Sequence, residues 1–491
     1  MTTLRYASEK EARALPDAAR FLDTVTRLQS GRKPFFEPKR EIFVTRAPGR
    51  LDLMGGNDDY TGGLVFEATI KEAVLVAVQA RDDSAIVLYN PAVAALGWQD
   101  RVELPIGELF DGGTLRPASH LRAWCEADEK KAWAAYILGT FYYLLAKHQD
   151  RVRDTGLSLY MESDIPLGKG VSSSAAIEVA PMKAMAARYG VAMEGVDLAL
   201  ATQWVEIELT GAACGVMDQL AVTMGGEDAF IPMLCQPCLP EERVRLPKNL
   251  RVWGLDSGVR HSVAGIEYEA ARAATFMGYR YLLEAERLEA RLDETGVVSR
   301  YVDDLWDGYL ARLSVSLFRE RYEQLLPRQV VGRDFLAKYP LHLDPHTGVL
   351  PEITYPVYGS TRYAVEENWR VHLFRELIVS AGQTIASGAA RQLGEIMYQS
   401  HDGYTDCGLA SDETNLIVNL VRDEWENDLV GAKITGGGAG GTVAILAFNT
   451  ERAEEACNRV VEKYHRMSGL ESYTFSGSSP GADDFGVVRL S

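Results

Sequence analysis

The chain is 491 residues long, 47% hydrophobic and 24% charged, and carries a formal net charge of −18. That length accommodates two or three domains with cores of their own. The acidic balance argues against nucleic acid or an anionic membrane as a non-specific partner, yet leaves room for a polyanion held by local cations and backbone N–H groups.

The chain opens on a helical lead, Glu9 to Leu28, closed by Ser30-Gly31. Ile42-Phe43-Val44 is a short strand running into Ala47-Pro48-Gly49, and Leu64–Ile70, Ala73–Val78 and Ala85–Tyr89 extend an N-terminal sheet. Ala132–Lys147 has the three- and four-residue apolar spacing of a helix. Strand Leu157–Met161 feeds a Gly/Ser loop at 168–174, followed by helix Ala175 to about Tyr189 and helix Val196–Leu209. From Leu250 a second block starts with strand Val252–Leu255. Its helices fall near 265–293, 302–325, 365–380, 387–400 and Asp412–Asp428, with a less regular, Pro-containing stretch over 326–360. Strands Ala432–Ile434 and Thr442–Phe448 flank a glycine cluster, and a helix near 451–467 follows. Helices and strands without steady βα alternation predict an α+β protein in two lobes.

Six cysteines are scattered without disulfide-like spacing, and Cys235-x-x-Cys238 has no second pair at zinc spacing, so buried thiols are expected. No apolar run reaches the roughly 18 residues of a membrane span, and no basic-then-apolar leader is present. A soluble, cytoplasmic protein is expected.

Three segments carry the chemistry. Asp164-Ile-Pro-Leu-Gly-Lys-Gly-Val-Ser-Ser-Ser-Ala-Ala176 joins a strand to an alanine-rich helix. Glycines admit a phosphate close to the backbone, the new helix offers free N–H groups and its positive dipole end, and a serine hydroxyl can ligate Mg²⁺. A serine-rich linker is the plain alternative, but the strand and helix hold this loop at both ends. It lacks the closing Gly-Lys-Ser/Thr of a Walker loop and the x-x-Gly of a dinucleotide fingerprint. Lys433-Ile-Thr-Gly-Gly-Gly-Ala-Gly-Gly441 demands a sharp turn or close backbone approach. Arg46 to Gly63 packs Arg50 and the aspartates 52, 58 and 59 among glycines, which is either a solvated loop or a polar site binding hydroxyls and phosphate.

In this order the segments resemble the signatures of the GHMP kinases, the superfamily named for galactokinase, homoserine, mevalonate and phosphomevalonate kinases, and most nearly its galactokinase branch. Ala47-Pro-Gly-Arg50 with Asp59-Tyr60, Gly168–Ala176, Cys214-Gly-Val-Met-Asp-Gln219, Gly265-x-Glu-Tyr268 and Thr435–Gly441 carry the resemblance, from about Thr45 to Val443. It implies the two-lobed GHMP fold: an N-terminal lobe with a left-handed βαβ crossover (1–245), a ferredoxin-like C-terminal lobe (246–491), and an active site between them. ATP, Mg²⁺ and a small sugar are the implied ligands.

The resemblance assigns Asp218 as the base that takes a proton from the attacking sugar hydroxyl, and Arg50 as the cation beside it. A helix-capping role is the plain alternative for Asp218. Gly168, Gly170, Ser172, Ser173, Ser174 and Ala175 would line ATP, and Ser174 and Glu206 would hold Mg²⁺, with Glu208 the competing carboxylate. Arg50, Asp59, Gly56, Asn57, Asp218 and Tyr268 fall at sugar-binding positions, and Gly436, Gly437 and Gly438 near the active site. Galactokinases carry Glu-His where this chain has Gly56-Asn57, and the acidic residue there contacts the C6 hydroxyl. Keeping Asp59 without that contact suits L-arabinose, which has galactose-like ring stereochemistry and no C6 hydroxymethyl. The stretches Ile231–Pro237, Gly254–Ser262 and Phe335–Pro345 also resemble the L-arabinokinases. D-Galactose is the alternative substrate. A non-catalytic ATP/sugar sensor is the alternative of another class, disfavoured because the serine loop is complete and Arg50 and Asp218 are both present.

Overall fold

The segment Ile42–Met54 is apolar at alternate positions and continues past Pro48 as one strand, β1, completely buried. The computed structural model describes residues 4–152, 155–260, 265–296 and 299–491. β1 pairs antiparallel with β2 (Leu64–Ala80), which is one strand where two were expected. Proline cannot donate to a ladder, and the register slips between Pro48 and Arg50. This irregularity frees the Arg50 N–H to bond Val171 O in the phosphate loop, 3.1 Å away.

β2 pairs antiparallel with β5 (Leu157–Ser163), which runs parallel to β3 (Ala85–Tyr89), and β3 pairs with β4 (Arg101–Pro105). β6 (Ala229–Leu234) joins the first half of β2. Helix α1 (Ala134–Lys147) lies in the connection from β3 and β4 to the parallel strand β5, and α2 (Ser173–Arg188), α3 (Gly195–Val205) and α4 (Met217–Met224) follow β5. α2 is buried on nearly every side, through Ala176, Val179, Met182 and Met185, as its even apolar composition requires.

The second sheet runs β8–β9–β7–β10, all antiparallel, where β7 is Leu250–Asp256, β8 Leu429–Ile434, β9 Thr442–Phe448 and β10 Thr474–Ser476. Its central strand is buried on both faces. Val443 and Ile445 join the cluster of α8 (Asp412–Asp423) and α9 (Glu451–Ser468), and Ala444 and Leu446 join the main core. A third core gathers α5 (Ile266–Glu286) with aromatic residues of the 300–360 stretch, among them Trp306, Phe335, Tyr339 and Tyr355. α6 (Val357–Ala381) and α7 (Ser387–Asp406) bridge these cores.

Three expectations change. The helical lead is two helices, Glu9–Ala12 with a Ser8 capping box and Pro16–Leu28, because Pro16 starts a helix and cannot continue one. The helix expected over 302–325 is replaced by turns and an irregular helical stretch from Val315 to Leu325. The Asp303 carboxylate accepts from the N–H groups of Leu305, Trp306 and Gly308, offering the backbone an alternative to helix. Finally, the division at 245/246 follows the two sheets only as far as β10. The closing strand, β11 (Val487–Leu490), returns to pair with β1 in the first sheet.

Candidate active site

Arg50 lies on β1 with its guanidinium 2% exposed. Nε and Nη2 both donate to Asp218 Oδ1, at 2.9 and 2.6 Å, and Nη1 donates to Gly170 O at 2.7 Å. Burial alone would lower its pKa, but Asp218, Glu67 and Asp52 reverse this and hold it fully charged. Asp218 stands in the first turn of α4, whose N-cap position is Val216 and lacks a side-chain cap. Its bonds go to Arg50 instead of helix N–H groups, so the capping role does not describe it.

These two residues form one wall of a cavity of about 270 Å³. Asn57 and Asp59 line it, with Gly168, Gly170, Ser172, Ser173, Ser174, Glu206, Tyr268 and Gly437. Cys214 and Tyr136, which the sequence did not single out for this role, line it too.

The phosphate loop is held from both sheets. Lys169 Nζ contacts Asp256 Oδ2 at 2.5 Å, and Thr442 Oγ1 donates to Lys169 O at 2.7 Å. Ser172 takes φ 60°, a left-handed conformation uncommon outside glycine, and its buried Oγ lacks a partner among the described residues. A strained residue with a free hydroxyl at a helix start suits an anion. Gln219 Nε2 donates to Glu206 Oε2 at 2.6 Å, and Ser174 stands beside the same carboxylate and lowers its pKa. Burial, reinforced by Asp218, pushes the Glu206 carboxyl up to about 7, although Ser174, Cys214 and Gln219 oppose the rise. Glu206 heads a π-helical turn that faces it inward, whereas Glu208 is exposed. Behind them Glu178 is fully buried, and burial and Glu206 push its pKa well up.

The opposite wall, with Asn57, Asp59 and Tyr268, is assembled differently. Asn57 has φ 60° and accepts the Tyr60 hydroxyl at 2.7 Å, while its Nδ2 is a buried donor lacking a partner among the described residues. Asp59 is buried, and burial followed by Asp218 raises its carboxyl to about 6. Tyr268 packs edge-on to Tyr60, ring centres 6.4 Å apart. Gly56 differs from expectation. It is absent from the cavity lining, and a Cβ there would collide with the Asp52 carboxylate and the Tyr404 hydroxyl. Asp52 Oδ2 in turn meets Lys433 Nζ at 2.6 Å, both fully buried. Of the glycine cluster only Gly437 reaches the wall. Gly436, at φ 67°, lets the backbone approach Arg50, and Gly438 packs against Leu409. Ala175 is buried within α2 and does not line the cavity. His261 and Ser262 of the Gly254–Ser262 stretch lie outside the described residues.

Beyond Ser173 and Ser174 a second cavity of about 610 Å³ opens, walled by Val93, Trp98, Trp133, Ile177 and Leu209. Leu96 and Leu167 are exposed at its rim. Its residues come from five separate segments, and apart from the edge of the Gly/Ser loop they carry no motif; the two tryptophans were the signal available.

Known proteins match the chain in the same order. Residues 33–80 match the galactokinase galactose-binding signature, 135–226 the GHMP kinases N terminal domain, and 382–466 the GHMP kinases C terminal family. L-arabinokinase of Arabidopsis thaliana is 35% identical over 93% of this chain and 47% of its own length, so the chain spans about half of that relative. Galactokinase of Chloroflexus aggregans is 27% identical over 87% of this chain and 89% of its own. Among solved structures, Lactococcus lactis galactokinase complexed with galactose superposes with a TM-score of 0.69 at 19% identity, covering 94% of this chain and 99% of that one. Methanococcus jannaschii mevalonate kinase gives 0.53 at 14%, covering 90% and 99%. These likenesses establish a common fold.

Proposed function

Because this chain belongs to the GHMP kinase family, with that family's N- and C-terminal domains in order behind the galactokinase signature, we propose that it is an ATP-dependent sugar 1-kinase acting on L-arabinose. The observation that carries this reading is the Arg50–Asp218 pair, which opens into one cavity between the serine loop and the Asp59–Tyr268 wall.

ATP would seat its base in the apolar cavity between Trp98 and Trp133 and lay its phosphates along Gly168–Ser174, where the Ser172 hydroxyl and the N–H groups opening α2 are free to donate. Ser174 and Glu206 fit a Mg²⁺ ion: a buried carboxylate and a hydroxyl lining the same cavity are an adequate protein share for a cation that completes its shell with phosphates and water. Bound there, the ion would neutralise charge on the phosphates. Asp218 takes the proton from the anomeric hydroxyl as that oxygen bonds the γ-phosphorus and the bond to ADP breaks. Arg50 holds the Asp218 carboxylate through two hydrogen bonds and offsets charge on the transferring group. Asp59 and Asn57 hold ring hydroxyls.

L-Arabinose is preferred over D-galactose because the corner at Gly56 is filled by Asp52 and Tyr404. An acidic side chain reaching a C6 hydroxyl has no space there, so Gly56→Glu will disrupt this corner rather than create a galactose contact. The galactose-binding signature at 33–80 and the free Asn57 Nδ2 support galactose as a slower substrate. A missing contact discriminates by about 10–200-fold. A sugar panel with ATP, scored as kcat/KM for each sugar phosphate formed, tests this. Galactose turnover equal to or better than arabinose overturns the arabinose assignment, and no sugar phosphate at all overturns the kinase reading.

A further inference from the structure

The 300–360 stretch has no part in the chemistry above, yet it reaches the sugar side of the cavity through one ion pair. Arg272 lies on α5 one turn beyond Tyr268 and is 4% exposed. Nε and Nη2 form a two-pronged bridge to Asp344 Oδ2 and Oδ1, at 2.7 and 3.0 Å. Asp344 is itself fully engaged, accepting from Thr347 Oγ1 at 2.7 Å and from the His346 N–H at 3.2 Å. Nη1 of Arg272 donates at 2.9 Å to Ala213 O, in the loop leading to Cys214, Gly215 and Asp218. The guanidinium also lies 4.8 Å from the centre of the Tyr60 ring. One buried cation thus touches the chain next to Asp59, the loop before Asp218 and the helix of Tyr268, and the partner that fixes it comes from the 300–360 stretch.

We propose that Arg272, pinned by Asp344, is a positioning residue that makes the 300–360 stretch part of the sugar site by fixing where Asp59 and Tyr60 stand. A free arginine at this depth would sample several rotamers; the two-pronged bridge leaves one. The same cation acts on Asp59 electrostatically. The groups facing that carboxylate are Asp58 and Tyr60 on its own turn, Cys214 and Asp218 from the loop and α4, Tyr268 and Arg272 from α5, and Cys235 after β6. Arg272 is the cation among those described. Burial and Asp218 raise Asp59 to about 6, and Arg272 opposes the rise. Removing its charge therefore moves the ionisation of Asp59 to higher pH, so that near neutral pH less of it is the anionic acceptor for sugar hydroxyls.

The inference rests on the sugar-kinase reading, and its test separates the two. Wild type, Arg272→Met and the double variant Arg272→Met with Asp344→Asn are compared; the double variant leaves no uncompensated charge and so keeps the test open if the single variant fails to fold. KM is measured separately for sugar and ATP, with kcat/KM for sugar across pH 5 to 9. The expected result is a sugar KM raised about 10–100-fold in both variants, the worth of one charge-assisted contact, with ATP KM within about twofold and the acid limb of the sugar profile moved upward. A folded double variant with wild-type sugar KM and acid limb reduces the pair to scaffolding and overturns the proposal. A wild-type chain that phosphorylates no sugar overturns the reading beneath it, and this inference with it.

Discussion

The two sides of the cavity are built by different means. The side proposed to hold the phosphates, here the phosphate side as against the proposed sugar side, lies almost wholly between Gly168 and Asp218, on one strand-loop-helix unit and the helices after it. The sugar side takes Arg50 from β1, Asn57 and Asp59 from the next turn and Tyr268 from α5, and leans on Asp344, Tyr404 and Lys433 behind them. The first offers the hydroxyls and N–H groups of a short loop, backed by two buried carboxyls, Glu206 and Glu178, whose pKa values burial raises. The second stands on buried charges: Asp52 against Lys433, Arg50 against Asp218, Arg272 against Asp344. Taking such charges out of water is costly unless each finds its partner. The phosphate side is therefore the more self-sufficient and the sugar side the more dependent on the complete fold.

The junction of the two sides should show the largest effect. Asp218→Asn removes the base yet keeps an oxygen for Arg50, so turnover should fall by roughly 10²–10⁴-fold while ATP affinity and melting temperature stay near wild type. Calorimetric ATP binding beside steady-state rates checks this, and a collapse of melting temperature would instead mark Asp218 as structural.

Next comes the contrast itself. Lys433→Met leaves Asp52 buried without its partner and should cost about 3–5 kcal/mol in denaturant unfolding. Lys169→Met, which removes a half-buried ammonium from the buried Asp256, should cost less, because the Lys169 head is 21% exposed where Lys433 is fully buried. Equal losses would erase the distinction between the two sides.

Glu206 sharpens it through pH. Its folded pKa, about 7, lies above the usual carboxylate value of 4.5. Between those values the folded chain keeps a proton that the unfolded chain has released, so this group's contribution to stability falls as pH rises through the window. Melts of metal-free protein should decline from pH 5 to 7.5 more steeply in wild type than in Glu206→Gln, by about 1–3 kcal/mol over the window. The same variant should need more Mg²⁺ for turnover, and exposed Glu208→Gln should do neither.

The smallest effect belongs to Glu178. Burial and Glu206 push its pKa well up and so favour the neutral carboxyl, which Glu178→Gln replaces by a neutral group of similar shape. Stability should change by under about 1 kcal/mol, with the Mg²⁺ requirement unmoved. A larger loss would mean that Glu178 is ionised and part of the metal site.

Residues near one another in the chain decide much of this molecule. The glycine and serine run between a strand and an alanine-rich helix determines a phosphate cradle, because φ freedom and unpaired helix N–H groups are properties of the local backbone. Short apolar runs likewise mark where β1, β2, β5 and β9 lie, although β2 reads as two strands in the sequence, and the ordered signatures place Arg50, Asp59, Ser174 and Asp218 in the cavity wall. Tertiary structure decides what periodicity does not encode. It turns Glu206 inward and Glu208 outward through a π-helical turn, fills the corner at Gly56 with Asp52 and Tyr404, and walls the second cavity with tryptophans from distant segments. It also replaces the helix expected over 302–325 by turns around Asp303. In each case the deciding term is the desolvation of a polar group or the space left by a neighbour far away in sequence, and both exist only once the chain has closed on itself.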